Sequence, residues 1–418
     1  DPGRRNASAT SEGLPEPMTD TSRRPGTSAP DGTPPRRSML NDAGVRAVLF
    51  QIIAMAIVIA IGWYLVGNTL HNLATRNIQT GFDYLSREAG FAIGESLIPY
   101  NATDTYARAL WVGVVNTLKV SLIGIVFAML IGVVIGVARL SSNWLLAKLA
   151  TIYVETLRNI PVLLQLFFWY GLITEVLPAP RQALQPIEGV FLSNRGFKMP
   201  APADHPAWWG ALIALIVAIL AVRFLLARAR RIQAATGDRP KTLIPSLALL
   251  IGLPVAVWAV MGAPLALDMP ELRGFNFQGG VSVSPEFAAL TLGLTLYTAA
   301  FIAETVRSGI QAVGKGQWEA AAALGLKPGV TMRLIILPQA LRVIVPPTTS
   351  QFLNLTKNSS LAVAIGYPDI VSVANTTLNQ TGQAIENIAL IMLAYLTVSL
   401  SISAFMNWYN KRIALVER

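Results

Sequence analysis

Very few side chains in this sequence could carry out bond chemistry. The chain contains no cysteine and only two histidines, His71 and His205, both in predicted loops, so its composition indicates neither thiolate or histidine catalysis nor a metal site. The glycine-rich segment 309–315 matches most of a phosphate-binding loop, but Gly316 stands where that loop needs a Ser or Thr hydroxyl for Mg²⁺. We therefore predict no catalytic site and no nucleotide site in this chain.

The composition indicates a membrane protein. Of 418 residues, 53% are hydrophobic and only 13% are charged, about half the charged share of an average soluble domain. Eight apolar runs are long enough to cross a bilayer as helices, which takes about 20 residues. The predicted spans are 45–67, 115–140, 153–177, 208–226, 243–261, 287–306, 343–365 and 388–409. The sequence thus predicts an all-α integral membrane protein.

The formal net charge of +10 follows the predicted topology. With the N-terminus inside, basic residues concentrate in the inner connections, above all in 223–241 and 307–342, and are sparse in the outer ones. The positive-inside rule expects this asymmetry, so the basic excess does not indicate nucleic-acid binding. Residues 1–42, rich in Pro, Ser, Thr, Gly and Arg, are predicted to be a disordered cytoplasmic tail, and the first span an uncleaved signal anchor.

Three glycines of the second predicted span are expected to allow close helix packing. Gly124, Gly132 and Gly136 are spaced by eight and four residues, so they share one face of a helix. Small residues on one face allow the backbone of a second helix to approach closely. We expect helix packing at this face and assign it no role in substrate binding.

A basic loop after the sixth predicted span holds the most informative pattern. The residues that define it are Glu319, Ala320, Ala321, Gly325, Ile335, Leu337 and Pro338. This stretch resembles the E-A-A-x3-G-x9-I-x-L-P loop of the membrane subunits of ATP-binding-cassette (ABC) importers, and every defined position matches. Residues 317–326 are Ala- and Leu-rich and should form a short exposed helix that Gly325 ends. The resemblance implies that this helix docks on a separate ATPase.

Further segments resemble the permeases of polar amino-acid importers. The first contains Arg158-Asn159-Ile160-Pro161 followed by Gln165, which departs from the family's R-G-T-P at the two middle positions. Residues 303–309 and 355–361 resemble two later patches, the second with Asn358 in place of the family's Asp and Ser359 in place of its Thr. The likeness extends to general L-amino-acid permeases, which carry extra segments. The predicted divisions are a tail (1–42), an extra first span with a periplasmic loop (43–112), the first part of the core (113–178), an insert with two extra helices (179–285), and the second part of the core (286–418).

The resemblance implies a type I ABC importer core and a transport subunit without a catalytic site of its own. Its expected partners are an ABC ATPase dimer, a second homologous permease that forms a heterodimer with it, a periplasmic amino-acid-binding protein and membrane lipid, and no nucleic acid. This chain is expected to bind no cofactor, because ATP and Mg²⁺ belong to the ATPase. The expected location is the bacterial inner membrane, with both termini cytoplasmic. An ion-gradient-driven secondary transporter of amino acids is the alternative; it would require inverted repeats and more intramembrane acids.

Polar residues inside the predicted spans are candidates for a substrate path. An ionisable group that faces lipid costs roughly several kcal/mol, so it normally faces protein or a wet cavity. Glu304 and Lys357 either pair structurally or line the path, and the sequence leaves both alternatives open. Asn116, Gln165 and Asn358 would offer donors and acceptors to the ammonium and carboxylate groups of an amino acid.

Overall fold

The computed structural model describes residues 43–75, 80–238 and 240–413, so the predicted disordered tail lies outside the described residues. The chain divides into two compact units, Asp1–Arg76 and Asn77–Arg418. In the first unit, α1 (Ala43–Thr75) is one long apolar helix, and the side chains described along it are all exposed. A helix of this length and composition is suited to a lipid-facing span.

The second unit is mainly helical. Its helices are α2 (Tyr106–Ala138), α3 (Trp144–Asn159), α4 (Val162–Gly171), α5 (Pro206–Thr236), α6 (Leu243–Leu247), α7 (Leu253–Val260), α8 (Pro285–Gln311), α9 (Lys315–Ala323), α10 (Pro328–Thr331), α11 (Leu337–Asn358), α12 (Ile370–Thr381) and α13 (Ala384–Ile413). In the described part of the chain, 7 helical stretches could cross a membrane, and a bent pair could add an eighth. The predicted helical membrane fold is confirmed.

The predicted span 153–177 is not one straight helix. α3 and the helical segment that begins with α4 meet at a bend of 104°. Ile160 lies between them in an extended conformation, with φ −93° and ψ 128°. Pro161 explains this, because a proline ring disfavours helical geometry in the residue before it. The prediction was wrong about continuity: the span begins earlier and is broken at Pro161.

α2 and α8 pack closely and run in the same direction. A Cβ atom added to Gly132 would lie 2.7 Å from Cβ of Ile302, and one added to Gly136 would lie 2.7 Å from the carbonyl oxygen of Ala303. Both distances are shorter than real Cβ contacts, so only glycine permits this approach. The predicted packing role of these glycines is confirmed.

The insert contains short strands that the sequence analysis did not predict. They are β1 (Leu184–Ile187), β2 (Val190–Ser193), β3 (Gly196–Met199), β4 (Ala201–Pro202), β5 (Leu267–Asp268), β6 (Glu271–Arg273), β7 (Asn276–Gln278) and β8 (Val281–Val283). One sheet has the order β1-β2-β3-β8, and β4-β5 and β6-β7 form two small pairs. The helices α5 and α7 pack on each other, with the rings of Trp208 and Trp258 6.2 Å apart. The antiparallel pair β3-β8 joins the two ends of the segment 200–280, and β8 lies directly before α8.

Candidate functional site

The predicted loop helix is present as α9. Gly325, with φ +68°, ends it. The amide of Leu326 donates to the carbonyl of Ala321 at 3.1 Å, and the amide of Gly325 donates to the carbonyl of Ala322 at 2.9 Å. These two bonds form a Schellman motif, which favours glycine at the left-handed position. Both the helix and the glycine that ends it are as expected. α9 begins two residues before position 317 and ends three residues before position 326, the two predicted bounds.

α9 presents most of its surface to the surroundings. Glu319 and Ala320 are exposed, whereas Ala321 is only 1% exposed and faces the protein. Gln339 on α11 donates its side-chain amide to the side-chain oxygen of Gln317 at 3.3 Å. The helix is therefore held to the base of α11 along one edge and is open along the other.

The second half of the motif anchors the loop to the helical core. Ile335 packs against the main cluster of buried hydrophobic residues, and Ile336 beside it is fully buried. Pro338 is the second residue of α11, and a π-helical turn, Met332–Ile336, precedes it. A proline ring clashes with the carbonyl four residues earlier, here that of Leu334, and a wider π turn relieves the clash. Leu337 remains exposed. The motif thus combines the exposed helix α9 with a segment that is anchored in the helical core through Ile335 and Ile336.

Glu304 lies near the cytoplasmic end predicted for α8 and pairs with two arginines. Its Oε2 accepts hydrogen bonds from Nη1 of Arg139 and, at 3.1 Å, from Nε of Arg307. Its Oε1 accepts from Nη2 of Arg307 at 2.5 Å. The guanidinium of Arg158 lies over the ring of Phe301, 5.0 Å from its centroid. For Glu304 the structure therefore shows the pairing alternative, which ties the end of α2 to α8 close to α9.

The other predicted path residues lie apart from this ion pair. The amide of Asn116 donates to the carbonyls of Glu95 and Pro368, at 2.8 and 2.9 Å. The amide of Gln165 donates to the carbonyls of Leu157 and Ile160, at 2.8 and 3.0 Å, and so satisfies the end of α3. Both side chains are buried and hold backbone segments in place.

Lys357 and Asn358 end α11 and are more accessible. Lys357 is exposed and Asn358 is partly exposed. No acidic side chain among the described residues pairs with Lys357. Lys357 and Asn358 are adjacent only because they are consecutive in the chain. Lys357 forms no ion pair with Glu304.

A polar cluster at the far end of α8 contains residues that the sequence analysis did not single out. Nζ of Lys119 lies 2.5 Å from Oε1 of Glu95 and 4.0 Å from the ring centroid of Phe287. Oε2 of Glu95 accepts a hydrogen bond from the hydroxyl of Ser284. Because α8 has 27 residues, this cluster lies roughly 40 Å along the helix from α9. Glu95 stands in a loop without periodicity, so no sequence signal identified it.

A cavity of about 410 Å³ adjoins this cluster. Its walls come from the segment 91–95, the first residues of α8 and the N-terminal half of α12. The side chains of Glu95, Ser284 and Glu286 contribute to them. We refer to it as the polar cavity.

Comparison with known proteins covers most of the chain. A family model described as the inner membrane component of binding-protein-dependent transport systems matches residues 242–415. The putative amino-acid ABC transporter permease YhdX of Escherichia coli K12 is 54% identical over 375 residues, which cover 90% of this chain and 95% of the relative. The general L-amino acid transport system permease AapQ of Rhizobium johnstonii is 50% identical, covering 91% and 96%. This chain belongs to the amino-acid ABC transporter permeases.

A third relative extends the comparison. The glutamate/glutamine/aspartate/asparagine transport system permease BztB of Rhodobacter capsulatus is 45% identical over 416 residues, covering 92% of this chain and 97% of that one. Membership of this family decides between the two transport classes, because its members are permeases of ATP-driven importers and not ion-coupled carriers. The chain is a multi-pass membrane protein and a transport subunit, as the resemblance implied.

Proposed function

We propose that this protein is one permease of an importer of L-amino acids in the bacterial inner membrane, with both termini in the cytoplasm. Its partners are an ABC ATPase dimer that carries ATP and Mg²⁺, a second homologous permease and a periplasmic amino-acid-binding protein. The names of the relatives support the amino-acid class. The observation that carries the proposal is the exposed α9, ended by Gly325 and anchored through Ile335. The protein itself needs no cofactor in this scheme.

The coupling step follows from how α9 is attached. The ATPase contacts the exposed face around Glu319 and Ala320. A displacement of α9 passes to α11 through the contact between Gln317 and Gln339 and through the half-buried Ile335, which packs against the main hydrophobic cluster. α11 packs against α8, where a Cβ on Gly309 would lie 2.3 Å from Cγ1 of Ile344, so the two helices have little freedom to slide. Movement of the loop is therefore shared by the helical core.

The substrate path is proposed to run along the accessible end of α11. Lys357 and Asn358 are available there to meet a substrate or the second permease. Asn116 and Gln165 act as positioning residues, because their amide donors are occupied by backbone carbonyls. Glu304 keeps the cytoplasmic ends of α2 and α8 together through its two arginines.

The absence of native cysteine permits a direct test of the docking surface. A Glu319→Cys variant, co-expressed with the ATPase and the second permease, should crosslink to the ATPase after its thiol is labelled with a maleimide that carries a short photoreactive group and the sample is irradiated. The matched control is Glu271→Cys, which also replaces an exposed carboxylate, 67% accessible, in the insert. It should form no crosslink to the ATPase.

The same two variants test the topology. In intact spheroplasts, a membrane-impermeant maleimide should label Glu271→Cys at once and Glu319→Cys only after the membrane is permeabilised. Labelling of Glu319→Cys from outside, or equal crosslinking of both variants to the ATPase, would contradict the proposed coupling. ATP-independent uptake of amino acids by vesicles that contain the permeases would contradict it as well.

A further inference from the structure

The polar cavity lies at the end of the core opposite α9 and has no part in the coupling scheme. Its volume, about 410 Å³, falls within the range of small-molecule sites in proteins. Besides the acidic and hydroxyl side chains already named, Ser372 and Thr376 of α12 line it. A cavity of this kind can hold a small polar molecule.

Glu286 gives the cavity an available acceptor. Its Oε1 accepts a hydrogen bond from the hydroxyl of Tyr170 at 3.1 Å, and its Oε2 has no hydrogen-bond partner among the described residues. In the same wall, both carboxylate oxygens of Glu95 are engaged, one by Lys119 and one by Ser284. The charge of Glu95 is thus neutralised by Lys119, whereas no basic side chain in the described part of the chain pairs with Glu286. The wall therefore favours a cation.

The helix terminus on the other side of the cavity is already satisfied. The side-chain carbonyl oxygen of Asp369 accepts from the amide of Ser372 at 2.8 Å, and the amide of Ile370 donates to the hydroxyl of Thr117 at 3.1 Å. An anion would find both of these amides at the start of α12 already occupied by acceptors. The N-terminus of α12 therefore does not offset the preference for a cation.

A second, independent acceptor near the cavity lacks a donor. Asn116 is fully buried, and its Oδ1 has no hydrogen-bond partner within the ranges that the structure describes, although its amide group donates to the backbone carbonyls of two cavity residues, Glu95 and Pro368. A buried acceptor without a donor is costly, so such a group usually meets water or a ligand. An ammonium group carries three donors and no acceptor.

We propose that the polar cavity binds the ammonium group of an amino acid, with the Glu286 carboxylate as its direct partner. The amino-acid class rests on the proposed function, while the choice of the ammonium group rests on the walls of the cavity. This site stands apart from the path residues at Lys357 and Asn358, which belong to the end of α11. It would hold substrate at the face of the permease that α9 does not occupy.

Binding to the assembled transporter tests the proposal. The complex of both permeases and the ATPase is purified without binding protein and titrated calorimetrically with L-glutamine and with N-acetyl-L-glutamine, which lacks the ammonium charge. L-glutamine should bind the wild-type complex, and the acetylated compound should bind roughly tenfold to a hundredfold more weakly, as expected for loss of a charged hydrogen bond. Glu286→Gln should weaken L-glutamine binding by a similar factor.

The controls separate charge from folding. Glutamine at position 286 can still accept from Tyr170, so the local hydrogen bond is kept. Glu271→Gln removes an exposed carboxylate elsewhere and should leave binding unchanged. Equal affinity of wild type and Glu286→Gln, equal affinity for both compounds, or no binding of L-glutamine to the wild type would overturn the proposal.

Two further outcomes identify what has failed. If Glu286→Gln weakens attachment of the binding protein but not L-glutamine binding, the cavity receives a basic side chain of that protein and the amino-acid site is refuted. Crosslinking of Glu319→Cys to the ATPase reports on the proposed function separately. If that crosslink forms while L-glutamine binding is insensitive to Glu286→Gln, the importer assignment stands and only the cavity proposal is lost.

Discussion

Replacing glycines of α2 with alanine should destabilise the protein most where the added Cβ would lie closest to an atom of α8 or α11. A Cβ at position 132 would stand 2.7 Å from Cβ of Ile302, and one at position 136 would stand 2.7 Å from a backbone oxygen, whereas ordinary contact begins near 3.4 Å. The helices must separate by about 0.7 Å to admit either atom. Overpacking of this kind typically costs about 1–3 kcal/mol. Gly132→Ala and Gly136→Ala should each show a net loss in that range.

Two other glycines serve as comparison positions, because an added Cβ meets no rigid atom at either of them. At Gly124 the nearest atom to an added Cβ is the flexible end of Leu355, at 3.2 Å, so Gly124→Ala should be close to neutral. At Gly62, inside α1, an added Cβ meets nothing within 4 Å, and Gly62→Ala should gain roughly 0.5–1 kcal/mol of helix propensity. The changes at positions 132 and 136 must outweigh the same gain.

Thermal unfolding in detergent, followed by tryptophan fluorescence, measures these changes. Gly132→Ala and Gly136→Ala should lower Tm by several degrees, about 2–4 °C per kcal/mol. Gly124→Ala should leave Tm nearly unchanged, and Gly62→Ala should not lower it. If Gly132→Ala and Gly62→Ala shift Tm equally, the close approach of α2 and α8 does not limit stability and the packing argument is refuted.

Three further predictions concern charge, backbone conformation and pH. Glu304→Gln leaves two partly buried guanidinium groups without their carboxylate and should destabilise the protein by about 1–3 kcal/mol in denaturant melts, less if the arginines rotate to water. Gly325→Val should reduce copurification of the ATPase several-fold because φ +68° strains a β-branched residue, while Gly325→Asn should retain it and Gly237→Val, at a left-handed cap elsewhere, should not affect it. Burial raises the pKa of Asp369 to about 7, so the folded state keeps a proton that the unfolded state loses above about pH 4; Tm should fall between pH 5 and 7, and Asp369→Asn, which preserves the helix cap, should flatten this slope. A variant with an unchanged slope would count against the burial of that carboxyl group.

Features encoded by local sequence were predictable. The E-A-A and glycine spacing determines a short helix and its Schellman terminator, and both are present at α9. The glycines at positions 124, 132 and 136 share a helix face by their spacing alone, and that face meets α8 and α11. Apolar length was enough to locate the spans. It was not enough to show that Pro161 breaks the third of them, because hydrophobicity does not report the geometry of the residue before a proline.

Features that depend on distant partners were not predictable. Glu304 and Arg139 are 165 residues apart, and nothing in either segment specifies their pairing. Glu95 meets Ser284 across 189 residues, so the polar cavity could not be inferred from one chain. The strands of the insert have two to four residues each, too few for an alternating pattern, and α12 is too short and too polar to stand out as a span.

The paired strands before α8 have a consequence for how such a chain can change in length. Phe197 lies opposite Val283 and Met199 lies opposite Val281, so the segment between them leaves and rejoins the body of the protein at one narrow neck. Residues can be added to or removed from the far side of that neck while the register at its base, and with it the first turn of α8, stays where it is. Whole pieces of the polypeptide can thus be exchanged there as a unit, and α8 and the helices that follow it need not change to accommodate them.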